Sequence, residues 1–202
     1  MKFQAFQQGF LIVDDCFDQD ELTKLWADID VLMDGNLLPP ERTATARDPN
    51  TNKPVKDNLG VFIDRPFIDG VIKYAPVVLN KLFNDAVATE LEAIHPSMAS
   101  YRNLNYTKTL FSYYSKGGYY KAHYDNSVFT IITWLHHEPK TWTGGLLRLP
   151  KFGIEIEPMH NRSLIIPGIY VHEVTEVVMD QEHPNNGRFT FSQFAYVNPV
   201  SD

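Results

Sequence analysis

The sequence predicts a mainly β fold with flanking helices, an α+β arrangement. A double-stranded β-helix, or jelly roll, forms its core, and N-terminal helices pack on one of the sheets. Three observations predict it. Beyond Tyr101 the chain breaks into short apolar or alternating runs separated by Gly, Pro and Asn, the pattern of an antiparallel sandwich. Ahead of them, two longer stretches carry apolar residues at helical spacing. Aromatic residues make up 13% of the chain, and such side chains pack well on pleated, half-buried surfaces.

A chain of 202 residues, 44% apolar, supports one good core, so a single domain is expected over 1–202. Residues 1–100 form its helical support and 101–198 its jelly-roll core. The first element is a short strand at 10–13. Asp18 then stands where an N-cap belongs, and Leu22, Leu25, Trp26, Ile29, Leu32 and Met33 follow at helical spacing, which predicts a helix over Gln19–Met33. From 34 to 58 the chain is rich in Pro, Asn, Asp and Thr, the chemistry of a loop and a candidate lid. A strand at 59–63 leads out of it, and a second helix is expected over 77–94, ended by Pro96. The core strands are expected at 107–114, 119–124, 128–135, 145–149, 154–157, 163–166, 170–176 and 188–197.

The formal charge of −7 disfavours nucleic acid, because attraction to a phosphate backbone needs clustered Lys and Arg. Residues 9–13 are too short for a signal-peptide core or a membrane span. The lone cysteine, Cys16, cannot form an internal disulfide and reads as a small core residue in a cytoplasmic protein.

The chemistry gathers in the second half. His123 and Asp125 are two apart in an expected strand, so their side chains leave one face and can share an ion. That pair alone could be structural. His172, shortly after a Pro167-Gly168 turn, supplies a third ligand. Two imidazoles and one carboxylate on one face of an ion leave adjacent positions open, the arrangement of oxygen-activating Fe(II) centres, whereas zinc usually takes a tetrahedral set. Arg188 begins the last long strand, and its planar cation can pair bidentately with a dicarboxylate. Thr190 lies on the same strand face, while Phe189 and Phe191 point the other way.

In ordered motifs the sequence resembles the 2-oxoglutarate-dependent dioxygenases, and within them the prolyl 4-hydroxylase-like branch. The motifs are Tyr114, Gly117 and Tyr120 followed by His123-Tyr124-Asp125; TIITWL over 130–135; Gly144-Gly145-Leu146-Leu147-Arg148-Leu149; His172-Glu173-Val174; and Arg188. The resemblance covers roughly 110–197, with a weaker echo in the first strand and helix. It implies that His123, Asp125 and His172 bind Fe(II) and that Arg188 holds the distal carboxylate of 2-oxoglutarate. Tyr114 matches a tyrosine that also touches this co-substrate, although a shift of one residue would exchange it with Tyr113. Trp134 and Leu146 fall where the same pocket would be lined. The implied reaction is O2-dependent hydroxylation of an unactivated C–H bond with conversion of 2-oxoglutarate to succinate, ascorbate being a possible accessory.

Two features depart from the family pattern. The stretch 177–187 is longer than usual, and Trp134 stands where a Tyr is common. The expected substrate is a prolyl residue of a peptide or protein, with a free amino acid or other small metabolite as the alternative. Nucleic-acid demethylation is disfavoured, since the related repair enzymes carry a second Arg six residues after the first and this chain has Phe194. Readings from other classes are a non-catalytic jelly-roll binding module and a zinc hydrolase. His136 and His137 are expected as exposed turn residues, His95, His160 and His183 as loop residues, and Arg148, Arg162 and Glu173 as outward polar positions.

Overall fold

The computed structural model describes residues 1–43, 46–181 and 186–198. Strands β1 (Lys2–Phe6) and β2 (Phe10–Asp14) open the chain as a hairpin. Helix α1 follows over Gln19–Met33, as expected, and its start is a full capping box: Asp18 accepts from the Glu21 backbone N–H and the Glu21 side chain accepts from that of Asp18. Then come α2 (Pro40–Thr43), β3 (Lys56–Asp57), β4 (Leu59–Phe62), α3 (Asp64–Ile68), α4 (Ala75–Leu79) and α5 (Asp85–Ile94). The core continues with β5 (Tyr106–Tyr114), β6 (Tyr119–His123), β7 (Phe129–Leu135), β8 (Thr143–Gly144), β9 (Leu147–Leu149), β10 (Ile154–Ile156), β11 (Arg162–Pro167), β12 (His172–Val174), β13 (Val177–Val178) and β14 (Arg188–Tyr196).

The expected helix over 77–94 is two helices. Phe83 leaves helical geometry and the Asn84 side chain accepts from the Val87 N–H, capping a new helix in mid-stretch. Strand β1 had no sequence signal, because it is an edge strand whose side chains lie mostly in solvent. The stretch 34–58 is partly built: α2 and β3 lie in it, and a bridge between Arg47 and Pro54 closes a turn inside it.

Two sheets form the sandwich. The larger has the order β1-β2-β11-β7-β14-β5-β4, and the smaller β10-β9-β12-β6-β3. Pairing within both is antiparallel. Alternation along β14 separates two environments. Phe189, Phe191 and Ala195 face outward into the main core, where they join Leu25, Ile29 and Leu32 of α1, Leu79 of α4 and Leu91 of α5. Arg188, Thr190, Ser192, Phe194 and Tyr196 face inward, toward the smaller sheet. The helices therefore cover one face of the larger sheet, as the sequence predicts.

One polar tie fixes the helical layer. The buried Asp28 carboxylate on α1 accepts from the backbone N–H groups of Lys73, Tyr74 and Ala75, at 3.0, 2.7 and 2.6 Å, and so caps the start of α4. Among the described residues, no helix is long and apolar enough to cross a membrane.

Candidate active site

His123 and His172 are directly opposed across the β6–β12 ladder, with ring centroids 4.3 Å apart. Asp125 lies just beyond β6, in a loop stitched to the turn before β12: its N–H donates to the Gly168 carbonyl, and the Gly168 N–H donates to Val128. Only glycine permits this approach, since a Cβ on Gly168 would stand 2.2 Å from the Ser127 carbonyl oxygen. The result places Asp125 Oδ1 3.9 Å from His123 Nε2, and Asp125 Oδ2 3.6 Å from His172 Nε2. One ligand atom from each residue lies within 4.8 Å of the others.

Hydrogen bonds set the orientation of all three. His123 Nδ1 bonds to the Lys121 carbonyl at 2.8 Å and His172 Nδ1 to that of Tyr170 at 2.9 Å. A carbonyl only accepts, so each Nδ1 carries the proton and each Nε2 lone pair faces the shared centre. Thr130 Oγ1 donates to Asp125 Oδ2 at 2.7 Å. Burial and the neighbouring His172 push His123 down to about 3, which keeps its imidazole neutral at ordinary pH. Burial raises Asp125, against the pull of His172 and the Thr130 hydrogen bond. Two imidazoles and a carboxylate converging on one point, with the remaining directions open to a cavity, fit an octahedral divalent iron better than a closed tetrahedral site.

The cavity, of about 360 Å³, lies between the sheets. Arg188 and Tyr114 stand opposite each other on β14 and β5 at its inner end. Arg188 is 1% exposed, its Nη1 donates to Thr190 Oγ1 at 2.7 Å, and its Nε has no partner among the described residues. No carboxylate pairs with it among the described residues, and burial alone draws it down to about 10, with Tyr114 opposing. Burial likewise raises the Tyr114 phenol, against Arg188 and Asn58. Tyr113 faces the other way, packing on Phe189 at 5.3 Å, so of the two tyrosines Tyr114 is the one in the cavity.

Two expected lining residues lie elsewhere. Leu146 is off the cavity wall and Leu147 is on it, because Gly144 and Gly145 both take positive φ (69° and 59°) and move the inward parity by one residue. Gly145 also leaves room for Arg188, whose Cδ would stand 2.9 Å from an added Cβ. Trp134 is wholly buried with Ile132, Leu149 and Leu164 and is not on the cavity wall; its ring backs the Arg188 guanidinium at 5.8 Å. Tyr120, stacked on His123 at 3.6 Å, is part of the wall.

Sequence reading also missed the outer wall. Phe62, Lys108, Leu110, Ser192 and Tyr196 line it, and the period of two from Tyr114 along β5 and from Arg188 along β14 would have found most of them.

Other expectations resolve simply. Arg148 and Glu173 point outward, Arg148 pairing with Glu155 at 2.6 Å and lying 3.7 Å from Glu173, while Arg162 pairs with Asp14. His136 is buried instead of exposed, packed between Trp142 and His160, whereas His137 is exposed and stacks on Trp26. His183 lies outside the described residues.

No family model and no curated protein matches the sequence. Solved structures do match its fold. A prolyl-4-hydroxylase from Pseudomonas putida is similar with a TM-score of 0.60 at 15% identity, over 95% of this chain and 94% of that one. An oxidoreductase of the 2OG-Fe(II) oxygenase family from Burkholderia pseudomallei is similar with a TM-score of 0.62 at 15% identity, over 96% and 88%. A Trichoplax adhaerens prolyl hydroxylase, in complex with a peptide fragment of the hypoxia inducible factor oxygen degradation domain, gives 0.58 at 14% identity over 94% and 84%. Across nearly its whole length, the chain has the jelly-roll fold of prolyl hydroxylases and 2OG-Fe(II) oxygenases.

Proposed function

We propose that this chain is an Fe(II)- and 2-oxoglutarate-dependent hydroxylase acting on a prolyl residue of a peptide or protein. The observation that carries this reading is the buried Arg188 guanidinium, with no carboxylate of its own among the described residues, in the same cavity as the convergent His123, Asp125 and His172. A buried cation without a counter-charge is costly, and an anionic ligand removes that cost. His123, Asp125 and His172 would hold the iron, and Arg188, with Thr190 and Tyr114 beside it, would hold a carboxylate of 2-oxoglutarate. When bound, these groups supply the oxidation: O2 is consumed, 2-oxoglutarate loses carbon dioxide to become succinate, and a C–H bond becomes C–OH. The protein's part is to keep the His123 imidazole neutral, present both imidazoles from one face, fix the dicarboxylate and shield the centre from bulk water.

The mouth of the cavity supports a prolyl substrate. Phe62, Phe194 and Tyr196 line it, the two Phe rings 6.4 Å apart, giving an aromatic wall of the kind on which proline-containing chains dock. The stretch 34–58, which brings Thr43 onto the cavity wall, would serve as a lid. A second reading, a free amino acid or similar small acid, is favoured by Lys108, which lines the same mouth without an ion pair among the described residues.

Succinate formation, measured with Fe(II), 2-oxoglutarate and O2 against a panel of prolyl peptides and free amino acids, separates the two. Turnover stimulated by a peptide, with a mass gain of one oxygen on proline, is expected. Stimulation by free amino acids alone would favour the second reading, and failure to bind 2-oxoglutarate at all would leave a non-catalytic binding module.

A further inference from the structure

The cavity wall has a charge balance opposite to that of the chain. The protein carries a formal charge of −7, yet among the described residues lining the cavity Asp125 is the only acid, and it belongs to the convergent ligand set. Two permanent cations stand on the same wall, Arg188 and Lys108. Arg188 closes the inner end with Tyr114. Lys108 is exposed at the mouth, has no ion pair among the described residues, and belongs neither to the ligand set nor to the Arg188 end.

Strand register fixes where Lys108 stands. On the larger sheet Phe194 of β14 is directly opposed to Thr130 of β7 on one side and to Lys108 of β5 on the other. Opposed residues of antiparallel strands share a face, so Thr130, Phe194 and Lys108 form one rung that looks into the sandwich. Thr130 is the residue whose hydroxyl holds Asp125 at 2.7 Å. Lys108 is therefore level with the metal end of the cavity, two strands or about 10 Å across the sheet from the residue that orients a ligand. Arg188 is six residues back along β14, about 20 Å along the strand. The two cations thus serve different ends of one cavity. Beside Lys108 the wall is apolar, formed by Phe62, Phe194 and Tyr196. A saturated ring flanked by a carboxylate matches this mouth, the ring against the aromatic side chains and the acid on the ammonium group.

We propose that Lys108 is a specificity residue that binds a carboxylate of the substrate, so that the prolyl residue to be hydroxylated carries a negative charge close by. The inference rests on the functional reading above and narrows it. The carboxylate is an Asp or Glu side chain next to proline in a peptide, or the terminal carboxylate of proline itself, and the contact at Lys108 is the same for both. Because the ammonium group is exposed, its selectivity is sensitive to salt.

The test uses the full chain, anaerobic, with Mn(II) and 2-oxoglutarate, and calorimetry of added ligands. The panel is a blocked Ala-Ala-Pro-Ala-Ala peptide, the same peptide with Glu or with Lys on either side of Pro, an unblocked peptide ending in Pro, and free proline with its amide. At least one acid is expected to bind on the order of tenfold tighter than its neutral counterpart, and the identity of that acid assigns the source of the carboxylate. The advantage should shrink with added salt, vanish in Lys108→Met and return in Lys108→Arg, while Lys108→Glu should prefer the Lys-bearing peptides. Affinity for 2-oxoglutarate should be the same in all four proteins. A panel in which no acid exceeds its neutral counterpart overturns the proposal, as does an advantage that persists in Lys108→Met. A fall in 2-oxoglutarate affinity in Lys108→Met also overturns it, since Lys108 would then serve the co-substrate. If the unmodified protein does not bind 2-oxoglutarate, the functional reading fails and this proposal with it; normal 2-oxoglutarate binding with a flat panel sinks this proposal alone.

Discussion

The Arg188 guanidinium lies 4.8 Å over the Tyr114 ring, cross-strand neighbours on β14 and β5 that close the inner end of the cavity. With no carboxylate beside it among the described residues, this cation destabilises the ligand-free protein and is stabilised by an anion. Arg188→Met is therefore expected to weaken 2-oxoglutarate binding by roughly a hundredfold or more, the scale of a bidentate charged contact, while leaving the ligand-free unfolding temperature unchanged or raised. Calorimetry and thermal melts on the same samples decide it. A variant that melts early and binds normally would mean that Arg188 is a structural residue.

For the metal centre, anaerobic Fe(II) with 2-oxoglutarate is expected to give a weak visible absorption. His123→Ala, Asp125→Ala and His172→Ala should each abolish it without loss of folded circular dichroism, because each removes one of the three convergent ligand atoms. Thr130→Val should only weaken it, since Thr130 orients Asp125 and touches neither imidazole in this way.

Gly145→Ala is expected to lower 2-oxoglutarate affinity more than metal affinity. The added methyl would crowd the Arg188 side chain, and the residue would have to hold a φ of 59° that alanine disfavours. Separate titrations of metal and co-substrate check the split.

Asp28→Ala is expected to cost about 3 kcal/mol, because it orphans N–H groups of Lys73, Tyr74 and Ala75 at the start of α4. Urea unfolding measures it; a cost below about 1 kcal/mol would mean that water replaces the carboxylate.

Cys16 gives a pH prediction. Burial pushes its thiol up from about 9 to about 11, so the folded state favours the protonated form. That stabilisation is fully present below pH 9 and is lost as pH rises through 11. The stability difference between the native protein and Cys16→Ala should shrink on the order of 2 kcal/mol across that window. Urea melts at intervals from pH 8 to 11 follow it, and a difference that stays flat contradicts the assignment.

The elements that were legible in the sequence announce themselves locally. Helix α1 has its capping box and apolar stripe, and the inward face of β14 follows from a period of two starting at Arg188. The convergence of His123, Asp125 and His172 could be read from strand spacing and ordered motifs, because β6 and β12 are neighbours in the smaller sheet. What was lost depended on contacts far apart in the chain or on backbone irregularity. Leu146 and Leu147 exchange places through two consecutive positive φ angles. The break before α5 is a cap placed in the middle of a helical pattern. Lys56 sits on a strand of two residues and Asn58 just after it, flanked by loop chemistry, where no periodicity exists to show which side chains turn inward.

The two histidines belong to the smaller sheet and Arg188 with Tyr114 to the larger, so the halves of the proposed site are held by different hydrogen-bonded ladders. A metal ion and a dicarboxylate that touch each other would bridge the ladders and fix their spacing. Each ligand then prepares the separation the other needs. By thermodynamic linkage, whatever factor the ion adds to the affinity for the dicarboxylate, the dicarboxylate returns to the ion.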